Sequence, residues 1–198
     1  MFRFTLGLIF TLLFVGSVHA QPKAWTLDKN HSHVGFTARH LGLAKVHGEF
    51  TKFDAQIKAD SKTGKITALE ATVDATSVST DNEKRDNHLR GDDFFAADKY
   101  KAMKLVLKSI AWKGSSFTAT VALTIRNITK NVVFKGELLG MRTVDFGSGP
   151  QPRAAYEASA TIDRKEFGLT FNGLAEGIAI VSDSVDITLE VEITRSAS

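Results

Sequence analysis

Histidines and charged residues crowd into two stretches of this chain, and these are the residue types that could do chemistry. Residues 84–95 read KRDNHLRGDDFF, which sets His88 between Asp86 and Asp92, flanked by Arg85 and Arg90. Near the start of the alternating region, His31 and His33 form an H-x-H pair. On a strand, two histidines two residues apart share a face, and that is a spacing zinc ligands use. A metal-assisted hydrolase built on this pair needs a third ligand with a fixed surround. His40, His47 and His88 are the candidates, and sequence alone does not bring them together. The competing reading is that these histidines make strand-end hydrogen bonds or line a polar mouth.

For His88, acid–base work requires a reacting group within hydrogen-bond reach. The chain has no G-x-S-x-G elbow, no P-loop, no G-x-G-x-x-G and no EF-hand loop. Asp92 and Asp93 would make a glycosidase-like carboxylate pair only if both pointed at one bond, and adjacent loop residues seldom do. The expectation is instead a polar clip. Arg85, Asp86, His88 and Arg90 pair with one another and with exposed backbone groups, while Phe94 and Phe95 turn inward or rim an opening. No catalytic residue, resident metal or cofactor is expected.

Composition narrows the field further. The chain of 198 residues contains no cysteine, which removes thiol catalysis, CxxC redox chemistry and cysteine-ligated zinc. Residues 1–20 carry one arginine, then the apolar run FTLGLIFTLLFV, then GSVHA with Val18 and Ala20 placed for cleavage. That pattern is a secretory signal peptide, too short for a stable membrane span. The expected domain is 21–198, exported to the periplasm. Loss of Arg3 takes the formal charge from +3 to +2, too small a bias to argue for a nucleic-acid partner. An exported domain without disulfides relies on hydrogen bonding and burial. Asn127-Ile128-Thr129 spells a glycosylation sequon, and chance explains it.

The elements that must position these residues are strands. SVDITLEVEIT sets Val185, Ile187, Leu189, Val191 and Ile193 on one face and polar residues on the other. Phe117, Ala119, Val121, Leu123 and Ile125 repeat the pattern, as do Tyr156, Ala158, Ala160 and Ile162. Met103, Leu105 and Leu107 share a face, and so do Val34, Phe36, Ala38 and His40. Period two over such lengths means half-buried strands. About eight lie between turn signals, with DFGSGPQP a longer loop holding Pro150 and Pro152. Residues 80–102 lack period two and read as one or two helical turns stopped by Gly91. The fold class is therefore all-β, an antiparallel barrel or sandwich with a short helical connection around residues 81–101.

Small residues recur on the inward faces: Ala71, Val73 and Ala75 on one strand, Ala119 and Val121 on another, Ala158 and Ala160 on a third. A closed core fills its volume to a density of about 0.75, so small residues at one level leave room inside a barrel. Opposing large residues, Phe36, Phe53, Phe117 and Phe134, could instead fill the gap, giving a packed, ligand-free stress-response protein. If a hollow exists, its apolar walls suit a long hydrocarbon. Its lining would include Phe36, Phe53, Val73, Met103, Leu105, Phe117, Val121, Phe134 and Tyr156.

Four stretches together resemble the YceI-like family of exported polyisoprenoid-binding proteins: WTLDKNHSHVGFTARHLGLAKVHGEFTKFDA, RDNHLRGDDFF, LTIRNITKNVVF and IDRKEFGL. They occur in order across nearly the whole mature chain. The resemblance implies an extended eight-stranded antiparallel barrel of lipocalin-like shape. It implies an elongated apolar pore for an isoprenoid or fatty-acyl chain, periplasmic residence, and often a homodimer. It attaches binding roles to His33, Phe36, His40, Arg85, Asp86, His88, Phe94 and Phe95. The chain departs from the family at Asn127 and Asn131, where glycine and proline are usual, and at Lys101, where a proline is common.

Overall fold

The computed structural model describes residues 22–195; the signal-like stretch lies outside them. Alternation becomes strand nearly everywhere. The strands are β1 (Pro22–Leu27), β2 (His33–His40), β3 (Ala44–Phe50), β4 (Phe53–Asp60), β5 (Ile66–Asp74) and β6 (Val78–Ser79). Helix α1 (Glu83–Arg90) follows, then β7 (Ala102–Lys113), β8 (Ser116–Ile125), β9 (Ile128–Asp145) and β10 (Pro150–Asp163). A small hairpin of β11 (Leu174–Ala175) and β12 (Ile178–Ala179) precedes β13 (Ser184–Thr194).

The ladder runs β1-β4-β5-β7-β8-β9-β10-β13, and β13 returns to β1 through Thr26↔Thr194 and Leu27↔Ile193. This is a closed antiparallel barrel of eight strands. Every pairing is antiparallel, so short turns suffice as connections. At the upper end the wall is carried on by β2, β3 and β6. There the first half of β13 pairs with β2, β2 with β3, and β3 with β6. Pairs β1/β2 and β5/β6 are each one run interrupted by a single 3-10 turn, Lys29–His31 and Ala75–Ser77. An aspartate makes each interruption. Asp28 accepts the Asn30 N–H and Asp74 accepts the Thr76 N–H, offering the backbone a local partner in place of the ladder. Ala75 consequently sits buried in the turn, not in the strand with Ala71 and Val73.

The proline expectation needs correcting. The loop between β9 and β10 is shorter than read, and Pro150 and Pro152 lie in the first residues of β10, opposite Asp145 and Thr143. Pro22 likewise opens β1. First positions of a strand tolerate a missing N–H, so a proline next to glycines need not mark the loop.

Small residues sit opposite large ones across the ladders: Ala119↔Phe134, Gly136↔Phe117, Ala154↔Ile193, Ala158↔Leu189 and Ala160↔Ile187. At Gly136 the Glu157 carbonyl and the Phe117 ring lie so close that a Cβ has no room. Burial of side chains such as Phe134 (2% exposed) and Ile193 (0%) contributes about 1.5–3 kcal/mol each.

The lower end is closed by the turn between β4 and β5. Gly64, at φ +70°, seats against Met141 and Ala154 on β9 and β10 across the barrel. The Tyr156 hydroxyl donates to the Gly64 carbonyl, and Trp112 Nε1 donates to the Ile66 carbonyl at 3.3 Å. Burial pushes the Tyr156 phenol well above its usual range, so it stays a neutral donor.

The upper end is covered by α1 and the segment after it. Asn82 caps the helix by accepting the Arg85 N–H at 3.0 Å. Buried Asp86 accepts from the Thr80 N–H at 2.8 Å and from the Thr80 hydroxyl. Arg85 returns hydrogen bonds to the Thr80 hydroxyl (2.7 Å) and carbonyl (2.8 Å). Arg90 donates to the carbonyls of Thr76 (2.9 Å) and Val78 (3.0 Å). Gly91 ends the helix, its N–H bonding the His88 carbonyl. The charged run is thus a clip onto residues 76–80. Opposite it, Arg164 (4% exposed) donates to the Leu169 and Ser182 carbonyls and to Asp183, tying the β10 exit to the β13 approach.

Arg164→Met leaves the buried Leu169 carbonyl without its donor. The expected cost is about 2–4 kcal/mol, read as a lower urea midpoint at unchanged m-value. Asp74 gives a pH signature. The Thr76 hydroxyl bond, opposed by burial and helped by the Thr76 N–H, holds its carboxyl below the ordinary value. Stability from a depressed carboxyl is complete above the unfolded value of about 4 and fades as pH falls through the folded one. Asp74→Ala should therefore cost on the order of 1 kcal/mol at neutral pH, and progressively less in urea titrations below about pH 4.

Candidate functional site: an apolar bore with a polar mouth

Inside the barrel the alternation leaves a hollow. Its lower segment is walled by Phe53, Ile57, Ile66, Phe117, Phe134 and Tyr156, with Ala55, Ala71, Ala119 and Ala158 at the places where the wall thins. The upper segment is walled by Phe36, Phe50, Leu89, Phe94, Phe95 and Met103, with Leu123, Ile162 and Leu169. Each has a cavity volume of about 110 Å³. Val34, Val73, Leu105 and Leu189 border both segments, so the two meet at a waist. Cross-strand register sets that waist: Val73 lies opposite Met103, and Leu189 opposite Val34. The small side chains thus decide the question that the sequence left open. Large residues occupy part of the interior, and two adjoining apolar cavities, together the bore, remain along the axis.

Above the upper segment lies a wider cleft of about 610 Å³. It shares Phe36, Ala38, Leu89, Phe94 and Val181 with the bore, so the cleft lies directly against the bore's upper end. Its rim carries Arg39, His40, Lys84, Arg85 and His88, and Phe171 and Ile180 line it as well. The rim is assembled from three places: the upper end of β2, helix α1, and the segments leading into and out of the β11–β12 hairpin. An isolated bridge from His40 to Val181 and a bond from the Leu41 N–H to the Ile180 carbonyl (3.1 Å) hold the first and last together.

His88 stands at this rim in an aromatic corner. Its ring meets Phe94 and Phe171 edge-on, at centroid distances of 5.1 and 5.0 Å, and those two rings stack at 5.2 Å. Its Nε2 lies 3.1 Å from Asp93 Oδ2. Deeper in, Phe95 meets Phe50 at 5.4 Å and Phe50 meets Phe36 at 5.6 Å, forming the ceiling of the upper segment.

All the predicted site residues border the bore or its mouth except two. Phe36, Phe53, Val73, Phe94, Phe95, Met103, Leu105, Phe117, Val121, Phe134 and Tyr156 line the bore, and His40, Arg85 and His88 line the mouth. Asp86 lies under α1, bonded to Thr80. His33 points away from the bore: period two puts it on the face opposite Val34 and Phe36, where its Nδ1 lies 3.0 Å from Glu49. The H-x-H pair does not converge either, because His31 falls in the 3-10 turn and faces Asp28 at 3.1 Å. Asp28, His31 and Glu192 come within ligand distance of one another. The Arg153 guanidinium already occupies that cluster, 2.9 Å from Asp28 and hydrogen-bonded to Glu192. A cation is supplied by the chain itself.

Residues the sequence reading passed over are Arg39, Lys84, Leu89, Phe171, Ile180 and Val181. Lys84 and Leu89 lie inside the charged stretch, so they were within reach. The segment from Phe171 to Val181 has no period, and only its contact with β2 brings it to the mouth.

The chain is similar in sequence and fold to known proteins. Protein YceI of Shigella flexneri is 30% identical over 189 residues, covering 94% of this chain and 95% of that protein. A crystal structure of a Campylobacter jejuni YCEI protein superposes with a TM-score of 0.69 at 31% identity, covering 87% of this chain and 98% of that one. A Saccharophagus degradans domain, described as polyisoprenoid binding and implicated in plant cell wall breakdown, superposes with a TM-score of 0.62 at 12% identity. It covers 87% of this chain and 98% of that one. The family model for the YceI-like domain matches residues 25–193, from within β1 to within β13, the two strands that close the barrel. The chain belongs to the YceI-like domain family.

Proposed function

We propose that this protein binds a long apolar lipid, a polyisoprenoid or fatty-acyl chain, in the barrel and carries it through the periplasm without chemically changing it. The observation that carries this reading is the interior itself: two adjoining apolar cavities stacked along the barrel beneath a polar mouth. The signal-like sequence of residues 1–20 supports export. The likeness to a domain described as polyisoprenoid binding supports the class of ligand.

The physics is burial. A hydrocarbon leaving water gains about 0.8 kcal/mol per methylene, so a long tail binds with few polar contacts. The protein gains as well. An empty apolar cavity costs about 24 cal/mol per Å³, and each segment measures about 110 Å³. Filling either one therefore relieves about 2.6 kcal/mol. No ligand-induced order is needed, because backbone ladders already hold the walls apart.

Protein purified from the periplasm of its host and sprayed under native conditions should carry a lipid mass that organic extraction removes. Extraction should lower the melting temperature, and adding geranylgeraniol should restore it. A protein that emerges empty and takes up neither a prenyl nor a fatty-acyl probe defeats the reading. Val73→Phe, at the waist, should cut the bore in two. Geranylgeranyl probes should bind at least about tenfold more weakly, while geranyl probes, short enough for one segment, change little. Circular dichroism and urea midpoints check that the variant remains folded.

A further inference from the structure

We propose that the mouth cleft takes an oxyanionic head group, a phosphate or a carboxylate, on the chain that fills the bore. This rests on the lipid-binding reading above and specifies its ligand class.

The grounds are the placement of unneutralised positive charge. Some basic side chains of the described surface are matched to acids: Lys29 with Asp54, Lys99 with Asp92, Lys165 with Asp183, Arg153 with Asp28 and Glu192. At the mouth the basic side chains gather around a single cleft. Arg39, His40, Lys84, Arg85 and His88 line the cleft, and no carboxylate does. Lys84 and His40 have no side-chain partner among the described residues. Arg39 donates to a neutral carbonyl, that of Leu43, at 3.2 Å. Arg85 spends Nε and one terminal nitrogen on Thr80 and keeps the other. Only His88 meets an acid, Asp93. Asp86, the carboxylate nearest in the helix, is buried and committed to Thr80. Asp81 and Glu83 are exposed beside the helix start and take no part in the wall.

The floor of the same cleft is Phe36, Leu89, Phe94 and Val181, which it shares with the bore. A chain seated in the bore thus ends where the wall changes from hydrocarbon to cation. Because the lower end is shut by the β4–β5 turn, the head group has one place to go. Lys84 and Arg39 both line the cleft and both are exposed. An oxyanion meets both, with guanidinium forks suited to paired oxygens. These groups are exposed, so each contributes modestly and is screened by salt.

The test compares heads on one tail in delipidated full-length mature protein by calorimetric titration. Geranylgeranyl phosphate is set against geranylgeraniol, and palmitate against hexadecanol. The acid should bind roughly tenfold tighter than its neutral partner at low salt, and the preference should shrink at high salt. In Arg39→Gln/Lys84→Gln the preference should fall severalfold while affinity for the alcohols is unchanged. A preference in the phosphate pair alone identifies a phosphate head, and one in both pairs identifies oxyanions generally; either supports the proposal. Equal affinities, or a preference that survives the double variant, overturn it while leaving lipid binding standing. Failure of all four probes overturns lipid binding as well.

Discussion

Closure of the backbone ladder is the constraint on which the rest depends. A hollow lined by alkyl groups has every thermodynamic reason to collapse, since unfilled apolar space forfeits dispersion contacts. What opposes collapse is that each strand is hydrogen-bonded on both sides, with β13 returning to β1. To shrink the bore, strands would have to slip, and a one-residue slip turns every inward side chain outward. The small residues at Ala71, Ala119 and Ala158 then translate directly into empty space, because the ladders cannot move in to fill it.

The two ends of this cylinder are finished differently, and the difference gives it direction. Below, one turn crosses the opening and is pinned by the polar tips of Tyr156 and Trp112. Above, a helix is strapped to neighbouring backbone by Arg85, Asp86 and Arg90, whose bonds go mainly to Thr76, Val78 and Thr80. Both finishes use polar atoms to hold apolar ones in place. At the upper end, though, several cations are left over, and they face the cleft.

How much of this is legible in sequence varies by residue. The strands are legible because inward positions repeat every second residue, as in Val185 through Ile193. The hollow is half legible: alanines at matching heights permit it, but only cross-strand register, such as Ala119 against Phe134, shows how far large neighbours compensate. The aspartate breaks at Asp28 and Asp74 stay hidden because one short side-chain bond overrides a run of residues with good strand propensity. They also scatter the histidines, leaving His31 in a turn and His33 on the outer wall. The clip role of KRDNHLRGDDFF follows from charge pairing. Lys84 differs from its neighbours only in lacking a partner, and lack of a partner is a property of the fold.

The seam between β1 and β13 joins the first described strand to the last. Contacts so distant along the chain make a slow-folding topology, since loop closure must be paid before the pairing repays it. The cylinder cannot shut until its final strand has been delivered. Until then the partial sheet shows a greasy inner surface and a bare strand edge, the two features that invite aggregation. The same seam that closes the finished molecule thus leaves its nascent form the more exposed to aggregation.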